Sequence, residues 1–354
     1  MNDLCVLGFD PIFLDIIVSP LDDNQNKLEN FPQIGEHIPN TDVKILPGGN
    51  AFNVARVLTK ITQKVYFFGA IDPFFDQLVQ DNIPALNCRS TRNKKSNVTI
   101  AVQFLSGEIQ MNSITSSFSV GDVSLESLVH LLFSKIVPFS NIGLNKDGPS
   151  LFDFLTSFFI NFYKYCSSTA GEKNLQFISN FFETNKGKFE FLQSTNINSL
   201  ISDYSFLSSS EFDLDSKIFY FDPSSLKSFT SWKWLDSFFT DKFRMLPGYK
   251  IISLNEHEFN LMKANQINFN LYLKQNNNYL IVHESHQVTI FQHNLSEQII
   301  LPVPKIPEES IVSSVGAGDS FNAGLIFEFS NSFDITLACK SGIKIAQKYL
   351  TNSL

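Results

Sequence analysis

Near the C-terminal end of the chain, Ser313-Ser314-Val315-Gly316-Ala317-Gly318-Asp319-Ser320-Phe321-Asn322-Ala323-Gly324 sets two glycines and a carboxylate where an apolar helix is expected to begin. A helix start leaves backbone N–H groups without intrahelical partners and carries partial positive charge, so it suits an anion. Gly316 and Gly318 would let that backbone approach a phosphate without a Cβ in the way. A carboxylate on the same turn would repel the phosphate unless it is used there, and its natural use is as a general base. Asp319 could take a proton from a hydroxyl while the N–H groups of Gly316, Ala317 and Gly318 receive the charge of a transferred phosphoryl group. For so short a motif, a capped helix and a tight turn form the plain structural alternative.

A second glycine motif, Gly48-Gly49-Asn50-Ala51-Phe52-Asn53, lies far upstream. Two glycines let amides approach a polyhydroxylated ligand, and an Asn amide can donate and accept at neighbouring hydroxyls. Taken alone, this motif reads as a tight turn entering a helix.

Taken together and in this order, the two stretches resemble the signatures of the ribokinase-like (PfkB) carbohydrate and nucleoside kinase family. VGAGDSFNAG is similar to the family's C-terminal signature, and GGNAFN to its N-terminal GGxxxN. The resemblance covers most of the chain, from Leu4 to about Leu350. It implies a doubly wound α/β fold, a mostly parallel sheet flanked by helices with a small β-sheet lid. It also implies phosphoryl transfer from a nucleotide to a sugar, nucleoside or sugar phosphate.

The resemblance carries further residues. Asn255 and Glu258 match an NxxE motif that positions Mg²⁺ through water near the nucleotide phosphates, whereas Glu256 reads as an acid in a helix first turn. Gly48, Gly49 and Asn53 would bind the acceptor. Asp15 is similar in placement to the acidic residue that receives sugar hydroxyls, with an ordinary lid residue as the alternative. Arg89 and Arg92, with Lys94 and Lys95, could fork hydrogen bonds onto a phosphorylated acceptor from the lid, although a solvated hairpin end explains such a run at least as well. Ser313 and Ser314 replace the usual Asp and Thr before GAGD, which argues against a tight potassium requirement. Ser285, His286 and Gln287 stand where the nucleotide loop usually has glycines. ATP is therefore the default donor with ADP open, and a non-catalytic binding or regulatory protein is the competing reading.

The elements needed to position these residues follow from periodicity. Leu4 to Phe9 and Val65 to Ile71 read as strands, and Ala51, Val54, Ala55, Leu58 and Ile61 mark a helix between them, which is the grammar of a parallel sheet. Lys217 to Asp222, Ile251 to Asn255, Tyr279 to His283 and Val288 to Gln292 read as further strands. Asn97 to Leu105 pairs with Ile109 to Ile114 as a hairpin. Lid segments are placed at about 12–46 and 87–115, helices at 123–137 and 150–165, and a partly helical insertion at about 166–215, all within one kinase domain, 1–354. The last helix buries Ile335, Ala338, Cys339, Gly342, Ile343 and Ala346.

At 354 residues and net charge −8, the chain can fill a full core and has no basic excess for nucleic acid. Cys5, Cys88, Cys166 and Cys339 show neither zinc-site nor disulfide spacing, which fits a cytoplasmic setting. Neither a signal peptide nor a membrane span is expected, and the lid is where a homodimer would form. The 37 Phe residues read as compositional bias.

Overall fold

The computed structural model describes residues 4–11, 13–21, 40–62, 65–70, 77–80, 83, 86–90, 97–103, 109–114, 120, 123, 128–129, 131–132, 134–140, 148–168, 175–185, 214–223, 226, 229–312, 314 and 316–354. Strands β1 (Leu4–Pro11), β4 (Val65–Ala70) and β5 (Leu86–Ser90) pair in parallel. Strands β8 (Ile136–Ser140), β9 (Ile218–Asp222), β10 (Tyr249–Asn255) and β11 (Asn278–His283) form a second parallel run. Two antiparallel strands, β12 (Gln287–Gln292) and β13 (Asn294–Pro302), close its edge. Because β1 lies against β8, the two runs make one mostly parallel layer.

Strand alternation sorts the core into two halves. Phe219, Phe221, Ile252, Leu254, Leu280 and Val282 face one side. There they meet helices α2 (Gly148–Ser168), α3 (Leu175–Asn185), α4 (Trp232–Ser237), α5 (Glu256–Ala264) and α6 (Phe269–Leu273). Ile218, Tyr220, Ile251 and Ile281 face the other, against α1 (Asn50–Ile61), α7 (Ala317–Ser332) and α8 (Ile335–Leu350). The abundance of phenylalanine has a structural use on the first side. Phe139 meets Phe152 edge to face at 5.1 Å, and Phe159 meets Phe219 at 5.0 Å, the geometry that aromatic quadrupoles favour.

α7 is buried around most of its first half because sheet and α8 enclose it. Its approach to α8 depends on small residues: a Cβ on Gly324 would come within 2.9 Å of Ile345, and one on Gly342 within 2.8 Å of Phe321.

A second, small sheet has the order β3-β2-β6-β7, built from Asn40–Gly48, Phe13–Leu21, Asn97–Gln103 and Ile109–Ile114. β2 and β6 pair in parallel, β2 with β3 and β6 with β7 antiparallel. β5 belongs to the large sheet through its pairing with β4. Of the second lid segment, placed at about 87–115, residues 87–90 therefore lie in the large sheet, and 97–103 and 109–114 in the small one.

One element boundary also differs from expectation. The helix placed at 123–137 gives way before Ile136, where β8 begins. The Ser134 hydroxyl donates to the carbonyls of Leu131 and Ile136, and the following Ile-Val suits a buried parallel strand. Within the stretch placed as an insertion, the described residues are the end of α2, all of α3 and a bend at 214–215. Among the described residues no helix is long and apolar enough to cross a membrane.

Candidate active site

β9, β10 and β11 point their C-terminal ends the same way, and alternation turns Asp222, Asn255 and His283 toward the side that carries α7. Register sets Asn255 beside His283. The crevice beyond the carboxyl ends of parallel strands is where open α/β sheets present their ligand-binding groups.

α7 begins at Gly316, whose φ of 85° is left-handed and whose Cβ, if present, would lie 2.9 Å from the Tyr349 hydroxyl. The first helical bond runs from the Ser320 N–H to the Gly316 carbonyl at 2.9 Å, and the Ser320 hydroxyl donates to the same oxygen. Ala317 N–H makes a long turn bond of 3.3 Å to the Ser314 carbonyl. Gly318 differs from Gly316. Its φ lies outside the left-handed region, and among the described residues an added Cβ would touch only His283 Cε1, at an ordinary 3.6 Å. The backbone calls for a glycine at 316, whereas the described surroundings of 318 leave room for a side-chain carbon.

Asp319 sits in the first turn of α7 with 9 % of its surface exposed. The Asn53 side-chain amide donates to Asp319 Oδ2 at 2.9 Å. Asn53 is in the first turn of α1, where its N–H bonds the Gly49 carbonyl at 2.7 Å. Gly49 precedes that helix at φ 106°, a conformation few other residues adopt. The two glycine motifs thus meet through one buried hydrogen bond. Gly48 pairs across the small sheet with Phe13, and Asp15, two residues on in β2, lies between Leu46 and Thr99.

Two further buried carboxylates lie close by. Asp222 accepts from the Asn322 amide at 2.9 Å, and the Ser253 hydroxyl donates to the Asn322 carbonyl oxygen at 2.8 Å. Asn255 and Glu258 form a reciprocal capping box at the start of α5, each side chain accepting from the other's N–H at 2.9 Å. Burial, and then the charges of Asp222 and Asp319, push the Glu258 carboxyl up to about 8. Beneath them the Tyr220 hydroxyl is buried beside Ser253. Burial and then Asp222 raise its pKa well above the usual phenol value, so it remains a neutral O–H.

The chemistry of this set fits Mg²⁺. Glu258 uses Oε2 for its cap, and a cation there would relieve the crowding of its carboxylate with those of Asp222 and Asp319. Among the described residues no three acidic, His or Cys side chains converge to hold a metal alone, which suits an ion that retains water and phosphate ligands.

Beyond Gly318 opens a cavity of about 680 Å³, walled by His283, Lys305, Ile306, Phe321, Ile343 and Ala346 among others. His286 is exposed and sits 3.4 Å from Glu284. Glu256 is exposed in the first turn of α5, as its sequence position suggests.

Asn53 and Asp319 are thus in contact, and Glu258 is within electrostatic reach of Asp319. Arg89 lies on β5, beside Phe68, so its backbone belongs to the large sheet. Arg92, Lys94 and Lys95 fall outside the described residues. Sequence reasoning missed Asp222, Ser253 and Asn322. A signal for the first was present, since Asp222 ends a strand already recognised as part of the sheet.

Compared with known structures, the molecule has a ribokinase-like fold. It superposes on the nucleoside kinase of Methanocaldococcus jannaschii, an archaeal member of the ribokinase family, with TM-score 0.59 and 16 % identity, covering 99 % of this chain and 92 % of that one. For ribokinase from Thermotoga maritima the values are 0.60, 15 %, 99 % and 93 %. For adenosine kinase from Schistosoma mansoni in complex with 2-fluoroadenosine they are 0.62, 14 %, 99 % and 95 %. Residues 212–353 match the family described as pfkB family carbohydrate kinase. That match covers the C-terminal part of the chain, which carries Asn255, Glu258 and the Gly316–Asp319 turn. No curated protein matches the sequence significantly. The GGNAFN motif lies outside the matched stretch, and the Asn53–Asp319 bond ties it to that stretch.

Proposed function

We propose that the protein transfers the terminal phosphoryl group of a nucleotide, with ATP as default donor and ADP open, to a hydroxyl of a sugar, nucleoside or sugar phosphate. The observation that carries this reading is the hydrogen bond from Asn53 to Asp319, which sets a carboxylate beside a helix start and an Asn from a separate glycine motif. A buried carboxylate held this way has one orientation, as a general base needs.

In this reading Asp319 accepts the proton of the acceptor hydroxyl as that oxygen attacks phosphorus in line. The backbone of Gly316, Ala317 and Gly318 receives the charge on the transferred group, with the weakly engaged Ala317 N–H free to turn from Ser314 to the phosphate. Gly48, Gly49, Asn53 and Asp15 hold the acceptor under the small sheet, and closure of that sheet excludes water. Asn255 and Glu258, with Asp222 alongside, would hold Mg²⁺ through water, and the ion would supply charge neutralisation on the donor phosphates.

Support for a nucleotide comes from the cavity that opens directly off the glycine loop. Its volume suits a nucleoside, and its walls are largely aliphatic with Phe321. Support for a sugar or nucleoside acceptor comes from the pfkB match and from the sugar and nucleoside kinases that share the fold. The test is phosphoryl transfer from ATP and from ADP, with Mg²⁺, to a panel of pentoses, hexoses, nucleosides and sugar phosphates. Turnover with one pair identifies donor and acceptor. Nucleotide binding without turnover on any acceptor would favour a regulatory role instead.

A further inference from the structure

Asn322 lies one turn after Asp319 on α7, so the two side chains leave the same side of that helix. Its amide meets two strands at once. It donates to Asp222 Oδ2, at the end of β9, at 2.9 Å, and accepts from the Ser253 hydroxyl of β10 at 2.8 Å. An ionised carboxylate can only accept, so the amide nitrogen must face Asp222 and the amide oxygen Ser253. Ser253 stands two residues before Asn255 on the same face of β10, and the Tyr220 hydroxyl of β9 lies beside it. One amide thus ties together the three elements that carry Asp319, Asp222 and Asn255.

Stability alone does not call for this layer. Asn322 and Ser253 are buried, and their chain neighbours on α7 and β10, Phe321, Ala323 and Ile251, belong to one apolar core. Replacing both partners of a buried polar pair by apolar groups of like shape often leaves stability unchanged or improved. What a directional pair adds is one permitted separation of the elements it joins. Here that separation is under load, because Glu258 is within electrostatic reach of both Asp222 and Asp319. Repulsion among the three carboxylates works to part α7 from the strand ends, and the Asn322 bonds oppose it.

We propose that Asn322 is a positioning residue of the phosphotransfer site, holding the first turn of α7 against β9 and β10 and so fixing Asp319 relative to the Asp222 and Glu258 carboxylates. The inference rests on the phosphotransfer reading and adds to it a residue that acts through its neighbours. Asn53 constrains Asp319 from the side proposed for the acceptor. Asn322 constrains it from the side proposed for Mg²⁺, so the base and the ion keep one register.

The test compares wild type, Asn322→Leu and Ser253→Ala at a temperature where circular dichroism shows each of them folded. Calorimetry gives the ATP affinity with Mg²⁺ and with EDTA, and steady-state kinetics give kcat and KM for the acceptor that the panel identifies. Asn322→Leu should lose at least about tenfold in kcat, the worth of one hydrogen bond to a charged group. The strengthening of ATP binding by Mg²⁺ should shrink by about tenfold as well, while acceptor KM and metal-free ATP affinity stay within about twofold. Ser253→Ala frees the amide to turn, and should move the same two quantities the same way by about threefold. Its result decides the matter if Asn322→Leu does not fold. Wild-type kcat with an unchanged Mg²⁺ effect in the folded variants makes the layer structural only, which overturns the proposal and leaves phosphotransfer standing. A change confined to acceptor KM overturns it too. A wild type that transfers no phosphoryl group overturns both.

Discussion

Asn53 and Asp319 stand 266 positions apart in the chain, and the amide of the first donates to the carboxylate of the second at 2.9 Å in a buried setting. Each is in the first turn of its own helix, and α1 packs against α7. The bond therefore reports the relative placement of two helices as well as the orientation of one carboxylate. It couples the part of the site proposed for the acceptor to the part proposed for the phosphate.

Replacing Asn53 with Leu should remove one partner of Asp319 without changing side-chain volume greatly. The expected loss is about 1–3 kcal/mol of unfolding free energy, the usual consequence of stripping a partner from a buried polar group. Denaturant titration checks it, and turnover of the variant should fall more than its nucleotide affinity.

The two loop glycines should separate on substitution. Gly316→Ala forces a non-glycine residue to φ 85° against Tyr349 and should lower stability by roughly 1–3 kcal/mol. Gly318→Ala should melt within a few degrees of wild type and yet lose phosphate binding. Paired melting curves and calorimetry with MgATP distinguish these outcomes.

Glu258 supplies a pH prediction. Its folded pKa of about 8 lies above its ordinary value of 4.5, so folding favours the protonated form. The stabilisation is complete below pH 4.5 and disappears as pH rises toward 8, with a slope of up to about 1.4 kcal/mol per pH unit. Glu258→Gln, which resembles the protonated acid, should flatten that slope. Saturating Mg²⁺ and nucleotide should reduce the loss in wild type, since a cation favours the ionised carboxylate. Urea melts across this range read all three.

Asn322 holds two buried hydrogen bonds at once, donating to Asp222 and accepting from Ser253. Asn322→Leu leaves that carboxylate short of a partner in a dry setting, and a destabilisation of about 2–4 kcal/mol is expected. Ser253→Ala removes a single neutral bond and should cost about 1 kcal/mol. Comparing the two by chemical denaturation tests whether the layer acts as a unit.

What the sequence made legible was local. Glycine pairs, the helical spacing of Ala51, Val54, Ala55 and Leu58, and the apolar runs of β9 to β12 need only a few neighbouring residues to be recognised. The Asn255–Glu258 capping box could be read as a helix start for the same reason, and the structure forms it. Asp222, Ser253 and Asn322 were not legible, because each is a single polar residue in an otherwise apolar strand or helix and acquires partners only when sheet and α7 pack. β13 escaped notice because an exposed edge strand has little buried face to impose a pattern. The end of the helix before β8 could not be read locally because its last carbonyls, those of Leu131, Leu132 and Ser134, are taken by the ammonium of Lys217, far along the chain.

The most direct test of the central claim is phosphoryl transfer by Asp319→Asn against wild type, using whichever donor and acceptor the panel identifies, with MgATP binding measured on the same samples. The account predicts that transfer falls by at least about a thousandfold, at the upper end of what a positioned general base contributes, while nucleotide affinity stays within a few fold. Near-wild-type turnover in that variant would contradict the assignment of Asp319 as the base.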